Sequence, residues 1–320
     1  MRKKRLWPKI CYLTMGCLLV MTAIHLASLL SRPVTTAYFP KIEELQPESK
    51  DINLALVGEL HLYPDQIAPG DFFILEATFI PASSTAEILT ALPSTFSTQY
   101  RAGEGLFVII GVHWESEPGT YQVNLAVTHA NGKTDQLTAM LHVTAREFQT
   151  SRFNMPPGTT AGWTAARLDE DRERVRKARE YTTEYPLWLQ PFIVPITGRI
   201  SSEFGAIRII NNNPPRRHRG IDITTDEGAP IVAPNSGIVR LADFLLSGGN
   251  TVIIDHGLGL SSTYMHLQTI AVETGQLIER GQLIGTLGET GFATGPHLHW
   301  EVNIGQTPIN PKMLIRNDLL

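Results

Sequence analysis

Cysteine is scarce in this 320-residue chain: its two copies, Cys11 and Cys17, both lie near the start, and none follows. Everything beyond them is therefore closed to disulfides, thiolate chemistry and cysteine zinc sites, so any metal site must be built from His, Asp and Glu. Charge of one sign is also lacking. Lys and Arg number 27 against 31 Asp and Glu, a formal charge of −4, which gives no basic surplus and no nucleic-acid partner. Acids are absent before Glu43, whereas Arg2, Lys3, Lys4, Arg5 and Lys9 crowd the extreme N-terminus.

Behind those five cations, "ICYLTMGCLLVMTAIHLASLL" at 10–30 holds no Asp, Glu, Lys or Arg. It has about the ~20 residues that a membrane-spanning helix requires. The basic flank would stay inside and the rest of the chain would be exported. The run exceeds the 7–15 apolar residues of an ordinary signal peptide and has no clean A-x-A site after it. A signal anchor over 1–31 is therefore expected ahead of a cleaved signal peptide; either leads to the cell envelope. "LTMGC" does not make a lipidation box, because Thr14 stands three before Cys17 and the apolar run continues past it.

Residues 32–50 read as a polar, Pro-containing tether. From 51 to 147, "INLALVGELHLY", "DFFILEATFI", "EGLFVIIGVHW", "TYQVNLAVTH" and "QLTAMLHVTA" alternate with turn clusters such as "APGD" and "SEPGT". Short strands at this spacing predict an immunoglobulin-like β-sandwich. His61, His113, His129 and His142 are scattered through it without ligand spacing. Residues 148–191 read as a linker carrying a solvated helix, "AARLDEDRERVRKAREYTT", about 165–183, with charges of alternating sign. Residues 192–320 are rich in Gly and β-branched residues and read as a second β domain, with open loops at 208–217 and 243–250. The fold class is mainly β.

Two stretches of this last domain carry chemistry. "HRGID" places His218 and Asp222 four apart, and "GPHLHWE" places His297 and His299 two apart. On extended strands both spacings keep the side chains on one face. Neighbouring strands would bring the pairs together. Three protein ligands plus water make a catalytic zinc site, and four make a closed structural one. Spacing leaves that partition open, with His266 and His256 as further candidates.

"SSEFG" at 201–205, "HRGID", "YMHL" and "GQLIERGQLIGTLGETGFATGPHLHWEV" together resemble the lysostaphin-type zinc metallopeptidases, in order from about Ser201 to Pro311. The preceding sandwich, charged helix and "PLW…PF" segment resemble exported cell-wall endopeptidases of Gram-negative type. The resemblance implies a C-terminal β-sheet domain of the duplicated hybrid (barrel-sandwich) type that holds one Zn²⁺. It implies His218, Asp222 and His299 as ligands and His266 and His297 as catalytic histidines, one a base and the other a donor to the oxyanion. With no H-E-x-x-H glutamate in the motif, the base falls to histidine. Glu301, two beyond His299, has no expected role; its position would allow it only to back the ligand or line the groove. Arg219, Thr225 and Asp226 depart from the usual residues without touching the ligand set.

The implied substrate is a stem or crosslink peptide of peptidoglycan, met in the periplasm by a membrane-anchored or exported enzyme. Protein regulators are not specified by the sequence. A non-catalytic wall-binding scaffold or hydrolase activator is the competing reading, against which the complete residue set argues. "VETGQLIERGQLIGTLG" also resembles the half-barrel of lipoyl domains, but Glu279-Arg280 stands where a modified Lys would be needed. The sandwich is expected to act as a spacer or to block the groove.

Overall fold

A strand whose apolar run is unbroken is buried on both faces, and two such strands organise the first half of the molecule. The computed structural model describes residues 58–315 except 156, 157, 159, 161, 189 and 212. The expected anchor and tether lie outside the described residues. Among the described residues no helix is long and apolar enough to cross a membrane.

The first nine strands are β1 (Glu59–Tyr63), β2 (Gln66–Ile67), β3 (Phe72–Thr78), β4 (Thr85–Thr90), β5 (Ser94–Phe96), β6 (Tyr100–Ala102), β7 (Gly105–Val112), β8 (Gly119–Thr128) and β9 (Thr134–Val143). One sheet runs β1-β3-β7-β5, with β6 also on β7; the other runs β2-β9-β8-β4. Leu75, Val108 and Ile110 of the first meet Val123, Leu125 and Leu141 of the second in a shared core. In β8 the buried residues alternate with partly exposed ones, because only one face of that sheet is covered. In β3 and β7, Phe72, Ile74 and Ile109 point away from this core. They join Phe204, Ile304 and Ile309 in the core of the second half.

The sandwich is thus fused to the rest of the molecule rather than strung beside it. Trp114 and Phe204 pack with ring centroids 6.0 Å apart. The backbone N–H of Asn310 donates to the Gly70 carbonyl at 2.8 Å, and its side-chain amide donates to Asp71 Oδ1 at 3.0 Å. Gly111 lies where a Cβ would come within 3.0 Å of Ile309 and 3.2 Å of Ile304. Each large side chain buried at this seam contributes about 1.5–3 kcal/mol.

The remaining elements are β10 (Thr150–Phe153), α1 (Ala165–Glu180), β11 (Arg199–Ser202), β12 (Ile207–Ile210), β13 (Arg216–Arg217), β14 (Gly220–Thr224), β15 (Pro230–Val232), β16 (Gly237–Leu245), β17 (Gly249–Gly257), β18 (Leu260–Ile270), β19 (Leu277–Ile278), β20 (Leu283–Leu287), β21 (Leu298–Ile304) and β22 (Thr307–Ile309). The large sheet runs β11-β14-β21-β18-β17-β16-β19, with β22 on β21 and the β15–β20 pair on β18. A small sheet runs β10-β12-β13. Two loop expectations are corrected here. The 208–217 segment is strand at both ends: Ile207–Ile210 pairs with β13 on one side and, in parallel, with β10 on the other, which uses the β-branched Ile209 and Ile210, and a connection without strand lies between β12 and β13. The 243–250 segment is mostly strand, because β16 and β17 continue their ladder to the Leu245–Gly249 pair.

Helix α1 starts where Thr164 caps it by accepting from the Arg167 N–H at 3.3 Å. Its outward face carries Arg176 paired with Glu173 and Glu180, worth a few tenths of a kcal/mol each. The expected solvated helix also has a buried side. Ala178 packs with Leu241, Leu245 and Ile253, and Arg179 is buried outright.

His256 on β17 shows what burial does to an unpaired imidazole. Its Nδ1 donates to the Ser236 carbonyl at 2.8 Å, and its Nε2 accepts from Ser262 Oγ at 2.7 Å. Burial pushes its pKa from the ordinary 6.5 down to about 4. The unfolded chain therefore binds a proton here before the folded one does. This contribution to stability is complete above pH 6.5 and is lost as pH falls toward 4, by about 1.4 kcal/mol per pH unit. Denaturant unfolding of His256→Gln from pH 7 to pH 4 should show a shallower loss of stability than wild type, by about that slope.

Candidate metal centre and its cleft

The centre forms because β14 and β21 pair antiparallel with Asp222 directly opposite His299. Directly opposed residues share a face of the sheet. His218 lies just before β14. Its position is fixed by its own backbone, which donates to the Ala206 carbonyl and accepts from the Gly205 N–H, both at 2.8 Å. Gly220, between the two ligand positions, faces the Trp300 carbonyl so closely that a Cβ would lie 2.2 Å from its oxygen. Only glycine allows the strands to approach this far.

Three ligand atoms converge from these positions. His218 Nε2, Asp222 Oδ1 and His299 Nδ1 are mutually 2.9 Å apart. His218 Nδ1 donates to the Glu203 carbonyl at 2.9 Å, so its Nε2 brings a lone pair to the triangle. Burial alone would raise the Asp222 carboxyl, but the imidazoles of His218 and His299 facing it outweigh that and hold the group far below the usual carboxylate range. Burial lowers His218, whereas His299, despite its burial, is raised by Asp222 and Glu301. A buried carboxylate facing two imidazoles is a cation-seeking arrangement. A single proton cannot bridge three acceptors, and a His-Asp-His set of N and O donors suits a divalent ion such as Zn²⁺. Among the described residues, these three are the group able to hold a metal.

His297 and His266 lie outside the triangle and beside each other. Their ring centroids are 4.7 Å apart, and His297 Nε2 is 3.9 Å from Asp222 Oδ1. Three groups converge, and His297 pairs with His266. Met265, not His266, is the cross-strand partner of His299, so a regular strand would send His266 to the opposite face. Its backbone instead takes the left-handed conformation, φ 65°, which turns the imidazole toward the site. A non-glycine residue held there costs about 1–3 kcal/mol and typically marks a functional position. His266 Nδ1 donates to the Thr290 carbonyl and His297 Nδ1 to the Gly295 carbonyl, both at 2.8 Å. Each ring therefore keeps an Nε2 lone pair. Burial, with the charges of His297 and His299, pushes His266 down to about 3, so it is neutral at neutral pH. His256 stands apart in its own network, and His61, His113, His129 and His142 belong to the sandwich.

Groups that spacing does not reveal hold the ligands. Arg208 on β12 donates to Asp222 Oδ2 and to Ser202 Oγ. Arg219 Nε donates to Glu301 Oε1 at 3.0 Å, so it is committed to an ion pair rather than free in the groove. A cleft of about 700 Å³ is walled by α1, the β12–β13 segment and the loop bearing Phe292; Arg208 and Glu301, which face Asp222 and His299, line it, whereas none of His218, Asp222, His266, His297 and His299 does. Trp163 packs against Phe292 at 5.8 Å, closing one end. No described residue of the sandwich lines this cleft; the connector does.

Substituting Ala for Gly220 tests the dependence of the centre on strand approach. Gly220→Ala should lower metal affinity about 5–150-fold, since overpacking of about 1–3 kcal/mol falls directly on the β14–β21 seam. Chelator competition measures this, and Asp222→Ala should abolish retention of the ion altogether.

Residues 216–311 match the profile of Peptidase family M23. An uncharacterized metalloprotease of Buchnera aphidicola subsp. Baizongia pistaciae is 38% identical over 139 residues, covering 42% of this chain and 36% of that protein. The peptidoglycan DD-endopeptidase ShyC of Vibrio cholerae is 39% identical over 115 residues, covering 36% of this chain and 27% of that protein. The matches thus span about a third or less of these relatives. A crystal structure of a peptidase M23 from Pseudomonas aeruginosa shares the fold, with a TM-score of 0.56 and 23% identity over 79% of this chain and 96% of that one. With the ligand triangle of His218 before β14, Asp222 on β14 and His299 on β21 lying inside the matched segment, residues 216–311 of this chain constitute a peptidase family M23 domain.

Proposed function

We propose that this chain is an exported, zinc-dependent endopeptidase that hydrolyses peptide bonds in peptidoglycan stem or crosslink peptides. The observation that carries the reading is the 2.9 Å triangle of His218, Asp222 and His299 with two further imidazoles beside it. A purely structural zinc site would close its coordination with a fourth protein ligand and would need no such pair. The same pair weighs against a scaffold without activity. Relatives named peptidoglycan DD-endopeptidase support the substrate class.

His218, Asp222 and His299 would hold one Zn²⁺. Bound there, the ion supplies Lewis acidity toward the scissile carbonyl and toward water. His266 and His297 do the proton work. Each is anchored through Nδ1 to a carbonyl, so a neutral ring takes the proton of the attacking water at Nε2. The imidazolium so formed returns that proton to the departing amine nitrogen as the C–N bond breaks, and the partner ring, protonated from solvent at Nε2, donates to the oxygen that becomes negative as the carbonyl is attacked, a contact of about 3–4 kcal/mol. An extended peptide bound at the triangle is read as continuing along the cleft, where Trp163 and Phe292 are apolar lining and Arg216 is a lining cation.

The finer architecture belongs to the same proposal. The order β1-β3-β7 with β6 in one sheet and β4-β8-β9 in the other supports an immunoglobulin-like sandwich. The second half is read as the duplicated hybrid (barrel-sandwich) type, and residues 1–31 as a membrane anchor that leaves the catalytic domain in the periplasm.

Digestion of defined muropeptides, with products identified by mass spectrometry, tests the reading. Wild type should cleave an amide bond, lose activity with a chelator and recover it with Zn²⁺. His299→Ala should lose both ion and cleavage. His266→Ala and His297→Ala should keep the ion while kcat falls about 10²–10⁴-fold. Cleavage that persists in full after metal removal would exclude this function.

A further inference from the structure

His299 has two ring nitrogens, and the triangle uses one. Nδ1 faces Asp222 and His218; Nε2, on the far side of the ring, lies 3.8 Å from Glu301 Oε2. Glu301 is itself buried, two residues along β21 and on the same face. Its other oxygen, Oε1, is gripped from two sides, by Arg219 Nε at 3.0 Å and Arg179 Nη2 at 3.2 Å. Arg179 belongs to helix α1, upstream of the matched family segment, and also donates to Thr263 Oγ1 on β18 at 3.0 Å. Its Nε is buried without a hydrogen-bond partner.

Burying this charge cluster is poorly explained by stability. Well-packed apolar residues commonly replace buried ion pairs with no loss of stability, and here one donor is left unsatisfied. A carboxylate behind a metal-binding imidazole has a specific use: it fixes the ring and strengthens the ligand nitrogen that faces the ion. We infer that Glu301 is a positioning residue for His299, and that Arg179 of the connector helix is the group that positions Glu301. The inference rests on the proposed zinc site. It makes α1 part of the metal centre: the 216–311 segment carries the ligands and their carboxylate, while the connector carries the clamp on that carboxylate.

The test is zinc affinity of the full chain by competition with a chelator of known affinity, alongside the visible absorption of the cobalt-loaded protein. Glu301→Gln keeps the shape and removes the charge. It should weaken zinc binding about 10–100-fold and change the cobalt spectrum. Arg179→Met should weaken binding less, and Arg179→Lys should restore part of the loss. The double variant Arg179→Met/Glu301→Gln removes both buried charges together; it should bind zinc no more weakly than Glu301→Gln alone, and it carries the measurement if a single variant fails to fold. Wild-type zinc affinity and an unchanged cobalt spectrum in folded Glu301→Gln, or in the double variant, overturn the inference while leaving the proposed peptidase intact. A wild-type chain that binds no zinc overturns both.

Discussion

The antiparallel seam between β14 and β21 is the constraint on which the site depends. Asp222 and His299 are far apart in sequence and become neighbours solely because these two strands pair in one register. A slip by one residue would turn one of the two to the opposite face and dissolve the triangle. The seam is tight because Gly220 has no Cβ to press on the Trp300 carbonyl, and firm because Ile221, Ile223, Leu298 and Trp300 on its other face are fully buried. Apolar packing behind the sheet thus fixes the polar geometry in front of it.

That polar face is organised in layers. Closest to the prospective ion are one carboxylate and two imidazoles. Behind them are groups that hold each in place: Glu203 through its carbonyl for His218, Arg208 for Asp222, and Glu301 for His299. His266 and His297 are each tied by Nδ1 to a carbonyl. Every functional ring therefore has one nitrogen anchored or faced by the protein and the other presented to the site, which sets which lone pair is available.

The first half of the molecule serves this arrangement indirectly. The sandwich seals one flank of the second core through Phe72, Ile74 and Ile109 and stays away from the cleft. The groove wall comes from the connector, which the sequence suggests is a solvated spacer. Helix α1 does have a solvated face, but the other face buries Ala178 and Arg179 and delivers the arginine to the back of the centre. Sandwich, helix and peptidase domain accordingly share burial rather than standing as separate beads.

The sequence by itself determined the chemistry of the site. With no cysteine beyond residue 17, any metal site had to be built from His, Asp and Glu, and period-two spacing put His297 and His299 on one face. Local pattern also located the main strands, because alternation and turn residues act within a few positions. Tertiary structure alone decided which residues meet. It separated His297 from the triangle, turned His266 inward through a left-handed backbone that no motif announces, and paired the two ends of the 208–217 segment as strands. It also singled out Arg179 from a helix full of similar charges. The physical reason is range: strand and turn preferences are written in neighbouring residues, whereas register, burial and the partner of a charge are set by contacts between segments distant along the chain.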